Sequence, residues 1–251
     1  MTFDVTRVRE AFPGRTIEWL ETTPSTMKNA QVMVQAGALA GSIVGAEHQS
    51  AGQGRLGRSW VSTAAEGLYF TLIFRLNLHL TDLPVLTIAM GLAIAQAIRD
   101  IAGLECDLKW PNDLLIDGKK CCGILSEFQE GAVMTGIGVN VNQIAFPSEL
   151  KSAATSLRIA GGREFSREQL LIRMIEEIDN HVELLERQGR APLLDLFGQS
   201  SSFVSGKRVE VEQAGRLIRG ITDGLSDAGF LYVRDDAGER VLILAGGLRA
   251  L

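Results

Sequence analysis

The sequence predicts an α+β fold: a mixed β-sheet domain with packed helices over residues 1–202, then a small all-β barrel over 203–251. Three observations carry this. Short β-rich runs up to residue 141 are interrupted by only two helical stretches after the N-terminal one. Helical periodicity then takes over as far as Gly198. After Ser200-Ser201-Ser202, about 45 residues alternate short strands with Gly and Asp-Gly turns, the pattern of a small barrel.

In order, residues 5–12 form a short helix stopped by Pro13-Gly14, and 16–20 a strand. Ser25 or Thr26 caps an amphipathic helix that runs to about Gln35 and closes at Gly37. A buried strand at 42–48 leads into a Gly- and Arg-rich loop at 49–60, and 68–76 is a further strand. Residues 83–103 are the most apolar stretch. Gln96, Arg99 and Asp100 within it and Asp82 beside it favour a helix buried in a soluble core over a membrane span. Strands follow at 106–110, 113–116, 119–130 and 132–141, with Asp117-Gly118 marking a hairpin. Helices are expected at 149–157, 167–188 and 191–197, the last stopped by Gly198. The charged residues of 167–188 read as a solvated face.

Bulk chemistry narrows the function. The chain has 251 residues, 46% of them hydrophobic, and a formal net charge of −5. That balance disfavours a protein that coats nucleic acid or an anionic membrane. Cys106, Cys121 and Cys122 make no disulfide framework and read as small buried hydrophobes in a reducing cytoplasm. His48, His79 and His181 lack metal-ligand spacing, which disfavours zinc. The charged N-terminus is unlike a signal peptide.

The loop at 49–60 holds Gly52, Gly54 and Gly57 beside Arg55 and Arg58. Glycines let backbone N–H groups approach an anion, and the arginines supply charge and bidentate donors. Such a loop is costly to order and should stay mobile until an anionic ligand arrives. It nearly matches a nucleotide P-loop, but Arg58 replaces the lysine and the following residues open no helix. A second constellation follows: Lys109-Trp110-Pro111-Asn112-Asp113, then Lys119-Lys120 and Gly123-Ile124-Leu125. By itself it would pass for a hairpin with a proline turn and surface lysines.

Together these segments resemble the biotin–protein ligase family. The loop is similar to that family's G-R-G-R-x-G-R-x-W, and residues 109–113 match its K-W-P-N-D. Lys119-Lys120 with Gly123-Ile124-Leu125 resembles its lysine-then-G-I-L strand, Gly136 to Asn140 its G-I-G-x-N, and Ser25-Thr26 its S-T-N helix start. The C-terminal barrel resembles its SH3-like cap. Gln53 and Leu56 stand where many members carry arginine, and Met27 replaces the asparagine.

The resemblance implies ATP-dependent activation of biotin to biotinyl-5′-AMP, then transfer to a lysine of a biotin carboxyl carrier protein. It implies Arg55, Lys120 and Lys109 as catalytic cations, and Ser25, Thr26, Gln49, Gly52, Gln53, Trp60, Gly123 and Leu125 around biotin. Arg55, Arg58, Asn112, Lys120 and Asn140 would face the nucleotide, and Asp113 would hold Mg²⁺. The expected form is monofunctional, because about 15 residues before the first strand are too few for a helix-turn-helix domain. Neither a nucleic-acid nor a membrane partner is expected, and a homodimer stays open. The alternatives are a lipoate or octanoate ligase of the related fold, or a biotin-binding regulator.

Overall fold

Two sheets organise the chain in the computed structural model, which describes residues 3–76, 82–150 and 153–251. The first has seven strands: β1 (Ile17–Thr23), β2 (Ile43–Gln49), β3 (Gly67–Phe74), β4 (Asp107–Lys109), β5 (Asp113–Ile116), β6 (Lys119–Gln129) and β7 (Ala132–Asn140). Their spatial order is β1-β2-β3-β7-β6-β5-β4. β1 and β2 run parallel and every other neighbouring pair is antiparallel. The second sheet contains β8 (Ser205–Gln213), β9 (Arg216–Leu225), β10 (Leu231–Asp235), β11 (Arg240–Ile243) and β12 (Arg249–Ala250), ordered β11-β10-β9-β8-β12 and antiparallel throughout. The fold is α+β, as the sequence predicts.

Local chemistry explains the turns. Asp117 and Gly118 both have positive φ, 50° and 74°, so their backbone twist suits the two-residue hairpin between β5 and β6. β3 is buried along its whole length, and its Leu68, Phe70 and Leu72 pack into the main core.

The helices are α1 (Val5–Ala11), α2 (Thr26–Gln35), α3 (Leu83–Ala102), α4 (Leu157–Gly161), α5 (Arg167–Gln188) and α6 (Ala191–Ser200). α3 is long and apolar enough to cross a membrane, with mean hydropathy 1.6, yet 61% of that stretch is buried inside this fold. Its Leu86, Met90, Ile94 and Ile98 are fully enclosed, each worth about 1.5–3 kcal/mol relative to exposure. It packs between the first sheet and α5 and α6.

Several expectations need correction. The helix expected at 149–157 begins only at Leu157, and residues 151 and 152 lie outside the described ones. The backbone before it is recruited by β6 instead: Lys120 N–H donates to Ala153 O at 2.8 Å, and Thr155 N–H to Lys120 O at 2.9 Å. Ser156 then caps α4, accepting from Ile159 N–H at 3.0 Å. Gly198 does not stop α6, which runs on to Ser200, where Ser201 and Ser202 bond to Leu108 O and the Asp107 carboxylate. The charged residues of α5 are not all solvated. Arg167 is buried against Glu47 at 2.9 Å, and Glu177 is also buried. His79 lies outside the described residues.

The two sheets meet closely. Trp110 Nε1 donates to Gly229 O at 3.0 Å, and a Cβ on Gly229 would lie 3.1 Å from Ile88 Cδ1. The Trp110–Pro111 peptide is cis.

Candidate active site

The loop expected between β2 and β3 is folded as a narrow hairpin. Trp60 N–H donates to Gly52 O at 2.9 Å and Gly54 N–H to Arg58 O at 2.7 Å, with a tight turn over Arg55–Gly57 at its tip, where Leu56 and Gly57 have positive φ. Its base is pinned twice. Ser62 Oγ accepts Gln49 N–H at 3.0 Å, and the Tyr69 hydroxyl accepts Thr63 N–H at 3.0 Å and donates to Thr63 O at 3.1 Å. Burial pushes the Tyr69 pKa up to about 12, so the hydroxyl keeps its proton.

Trp60 comes off this hairpin onto the sheet. Gly123 of β6 pairs with Gly138 of β7, and a Cβ on either would lie 2.8 or 2.5 Å from the Trp60 ring. These glycines leave room for an indole laid across two strands. Gly52 is bare for a related reason, since a Cβ there would meet Trp60 O at 2.6 Å.

Two cavities open on either side of Trp60. The first, about 460 Å³ with its mouth, is lined by Ser25, Thr26, Met27, Gln49, Gln53, Leu125 and the glycine strip. The second, about 1480 Å³ with its mouth, is lined by Arg58, Lys109, Asp113 and Asn140, and by Gly246–Arg249 from the second sheet's side. Gly54, Arg55, Trp60, Asn112 and Lys120 belong to both.

The first cavity sets an apolar side, formed by Met27, Trp60, Leu125 and Ile137, against several polar side chains. Ser25 occupies the N-cap position of α2, yet its hydroxyl makes no cap bond, contrary to the sequence expectation. Gln49 Oε1 instead holds the start of the helix from outside, accepting Thr26 N–H at 2.9 Å and the Thr26 hydroxyl at 3.2 Å. Ser25 Oγ and Trp60 Nε1 are buried without a hydrogen-bond partner in the protein. Unsatisfied groups like these suit a polar ligand.

The joint between the cavities is cationic. Lys120 Nζ lies 2.6 Å from Asp113 Oδ1 and 5.3 Å from the Trp60 ring centroid. Arg55 donates to Asn112 Oδ1 at 3.2 Å, while Asn112 Nδ2 donates to Ile124 O at 2.8 Å. Burial holds the Arg55 guanidinium below arginine's usual range, with Asp113 opposing and Arg58 adding to the shift. Lys109 is lowered mainly by burial, then by Lys120 and Arg58, against Asp113. Asn140 lines the second cavity, but its amide also donates to Thr155 O at 3.0 Å and so ties β7 to the chain before α4.

Cys121 and Cys122 cannot serve as nucleophiles. Burial raises Cys122, and contact with Cys106 followed by burial raises Cys121, so both stay thiols. Among the described residues, no group of three or more His, Cys, Asp or Glu side chains could hold a metal ion.

Residues 19–143 match the Biotin/lipoate A/B protein ligase family, and residues 204–246 the Biotin protein ligase C terminal domain. The biotin--[acetyl-CoA-carboxylase] ligase of Mycobacterium tuberculosis is 32% identical over 245 residues, 93% of this chain and 88% of that protein. The chain belongs to the biotin protein ligase family. The bifunctional ligase/repressor BirA of Bacillus subtilis is 33% identical, over 90% of this chain and 71% of its own. The biotin protein ligase from Aquifex aeolicus, solved in complex with biotin and ATP, superposes with a TM-score of 0.84 at 27% identity, covering 94% of this chain and 99% of that one.

Of the residues expected from the family motifs, Gly52 lies behind Trp60 and outside the lining of either cavity; the others line one or both. The site residues named from the motifs did not include Met27, Gly136, Ile137 or Gly138 in the first cavity, nor Gly246–Arg249 in the second. The first four carried a signal nonetheless, because Met27 stands in the S-T-N helix start and the other three sit inside the G-I-G-x-N segment.

Proposed function

We propose that this chain is an ATP-dependent biotin–protein ligase that makes biotinyl-5′-AMP and passes the biotinyl group to a lysine of a biotin carboxyl carrier protein. In the first step a carboxylate oxygen of biotin bonds to the α-phosphorus of ATP, and pyrophosphate leaves. In the second, the lysine amine attacks the acyl carbon, loses a proton, and AMP departs.

The observation that carries this reading is the cationic wall shared by the two cavities. Two anions must meet for the first step, and Arg55 and Lys120 line both cavities where these join. Biotin's apolar bicycle suits the first cavity, with Ser25, Thr26, Gln49 and Gln53 toward its urea and Trp60, Gly123 and Leu125 as wall. Gly52 acts from behind, by giving Trp60 its place.

ATP takes the second cavity, with Arg58 and Lys109 toward the phosphates and Asn112 and Asn140 at the nucleotide. The unit after residue 202 closes that side through Gly246–Arg249. Mg²⁺ fits a site with one carboxylate, because phosphates and water can supply its remaining oxygens. Asp113 is that carboxylate, and the ion would offset phosphate charge. The three free cysteines suit a reducing compartment, and the proposal places the enzyme in the cytoplasm.

The test is labelling of a recombinant carrier domain in the presence of ATP, Mg²⁺ and biotin. One biotinyl group should appear on one lysine, and a carrier with that lysine changed to Arg should stay unlabelled. A carrier that takes octanoyl or lipoyl groups but no biotin would contradict the reading.

A further inference from the structure

Met27 stands where the family motif has asparagine, in the first turn of α2, and it is only 6% exposed. It lines the first cavity beside Ser25 and Thr26. Opposite lies Gly136 of β7. A Cβ on Gly136 would fall 2.9 Å from Met27 Sδ and 3.0 Å from its Cγ. Its next neighbour, Thr71 Oγ1 at 3.6 Å, is held by a 2.9 Å bond to the Thr26 hydroxyl. The Met27 side chain is therefore the part that would give way. Ala30, Val34, Val44, Ile73 and Met134 pack with it in the cluster behind the cavity. The open side is the cavity itself.

We propose that Met27 is a specificity-determining residue for the fused-ring end of biotin, a movable wall whose room is reserved by the bare Cα of Gly136. An unbranched thioether has three rotatable bonds and a polarizable sulfur, so it can settle against an apolar bicycle where a rigid side chain would not. The two positions act as a pair: a methyl at 136 drives Met27 into the space the ring uses, and shortening Met27 removes the obstruction. The inference rests on the biotin reading above.

The experiment is a double-mutant cycle on the full chain, reading biotin Kd by calorimetry without ATP and KM for biotin and for ATP in adenylate formation. Gly136→Ala should weaken biotin by about tenfold or more, as overpacking of a close contact does, and leave KM for ATP within about twofold. Adding Met27→Ala should restore biotin binding to within about threefold of Met27→Ala alone. A double variant as weak as Gly136→Ala, or a Gly136→Ala variant that binds like the parent, would overturn the proposal.

Gly138→Ala is the control, since its Cβ would strike Trp60 rather than Met27. Rescue of that variant by Met27→Ala would also overturn the pairing. Should Gly136→Ala fail to fold, Met27→Phe fills the same space from the other side and must weaken biotin while sparing ATP; parental affinity there would again defeat the proposal. A parent enzyme that binds octanoate or lipoate but not biotin would remove the functional reading itself, and is recognised before any variant is made.

Discussion

Lys120 and Asp113 face each other across neighbouring strands, Nζ to Oδ1 at 2.6 Å, at the joint of the two cavities. The ion pair holds a flexible cation where carboxylate and phosphate are to meet, and the Trp60 ring supports it from one side. Lys120→Ala removes a preorganised charge from the first step. The expected loss in adenylation is about 10²–10³, the usual range for one such contact. Pyrophosphate release with biotin and ATP is the measurement. Near-parental turnover would transfer the role to Lys109, because Lys119 is exposed on the other side of β6.

Arg55 separates making the adenylate from keeping it. It is held by Asn112 in a glycine-flanked hairpin, and Arg55→Gly loses a charge-assisted contact while adding backbone freedom. The variant should still form biotinyl-AMP but release it faster, so that lysines of an added bystander protein become biotinylated. In the parent, biotin with ATP should slow proteolysis within 49–60, and in Arg55→Gly it should do so less. A variant that holds the adenylate as long as the parent, or binds no biotin, would assign Arg55 another task.

What the sequence made legible follows from range. Elements set by local pattern matched well: α5 covers 167–188 and β5 covers 113–116, because periodicity and turn residues act within a few positions. What failed depended on distant partners. The chain at 153–155 bridges to Lys120 instead of continuing a helix, and the start of α2 is held by Gln49, which accepts Thr26 N–H, while the Ser25 hydroxyl makes no cap bond. Gly246–Arg249 reach the second cavity through the docking of one sheet beside the other, and no spacing in the sequence encodes that. The motif residues were visible as residue types. Their division into two cavities with a shared cationic wall was not.

Lys109 shows a conflict between stability and function. Burial disfavours its charged form in the folded chain, so the unfolded chain binds that proton more tightly. The resulting cost is fully present at neutral pH and fades only as pH rises toward lysine's ordinary value of 10.5. Lys109→Met should therefore raise the Tm at pH 7, with the gain shrinking near pH 10, while adenylation falls by about tenfold or more. Thermal melts at the two pH values test the sign, and a variant less stable than the parent at pH 7 would refute it.

Glu47 and Arg167 form a buried pair at 2.9 Å, and Trp19 Nε1 also donates to Glu47, at 2.8 Å. Glu47→Ala leaves the buried guanidinium without that carboxylate, and one-sided removal of such a pair typically costs about 3–5 kcal/mol. Denaturant unfolding should show this loss, with most of the effect in stability rather than in turnover of the folded enzyme. A change below about 1 kcal/mol would mean that the pair is not isolated from water as its burial indicates.

The central claim is that the joint between the cavities makes an acyl-adenylate of biotin. Mass spectrometry of the enzyme with ATP, Mg²⁺ and one carboxylic acid at a time, without any carrier, tests it most directly. Biotin should yield biotinyl-AMP and pyrophosphate, with no adenylate from octanoate or lipoate. An adenylate formed from either of those acids and not from biotin would contradict the account.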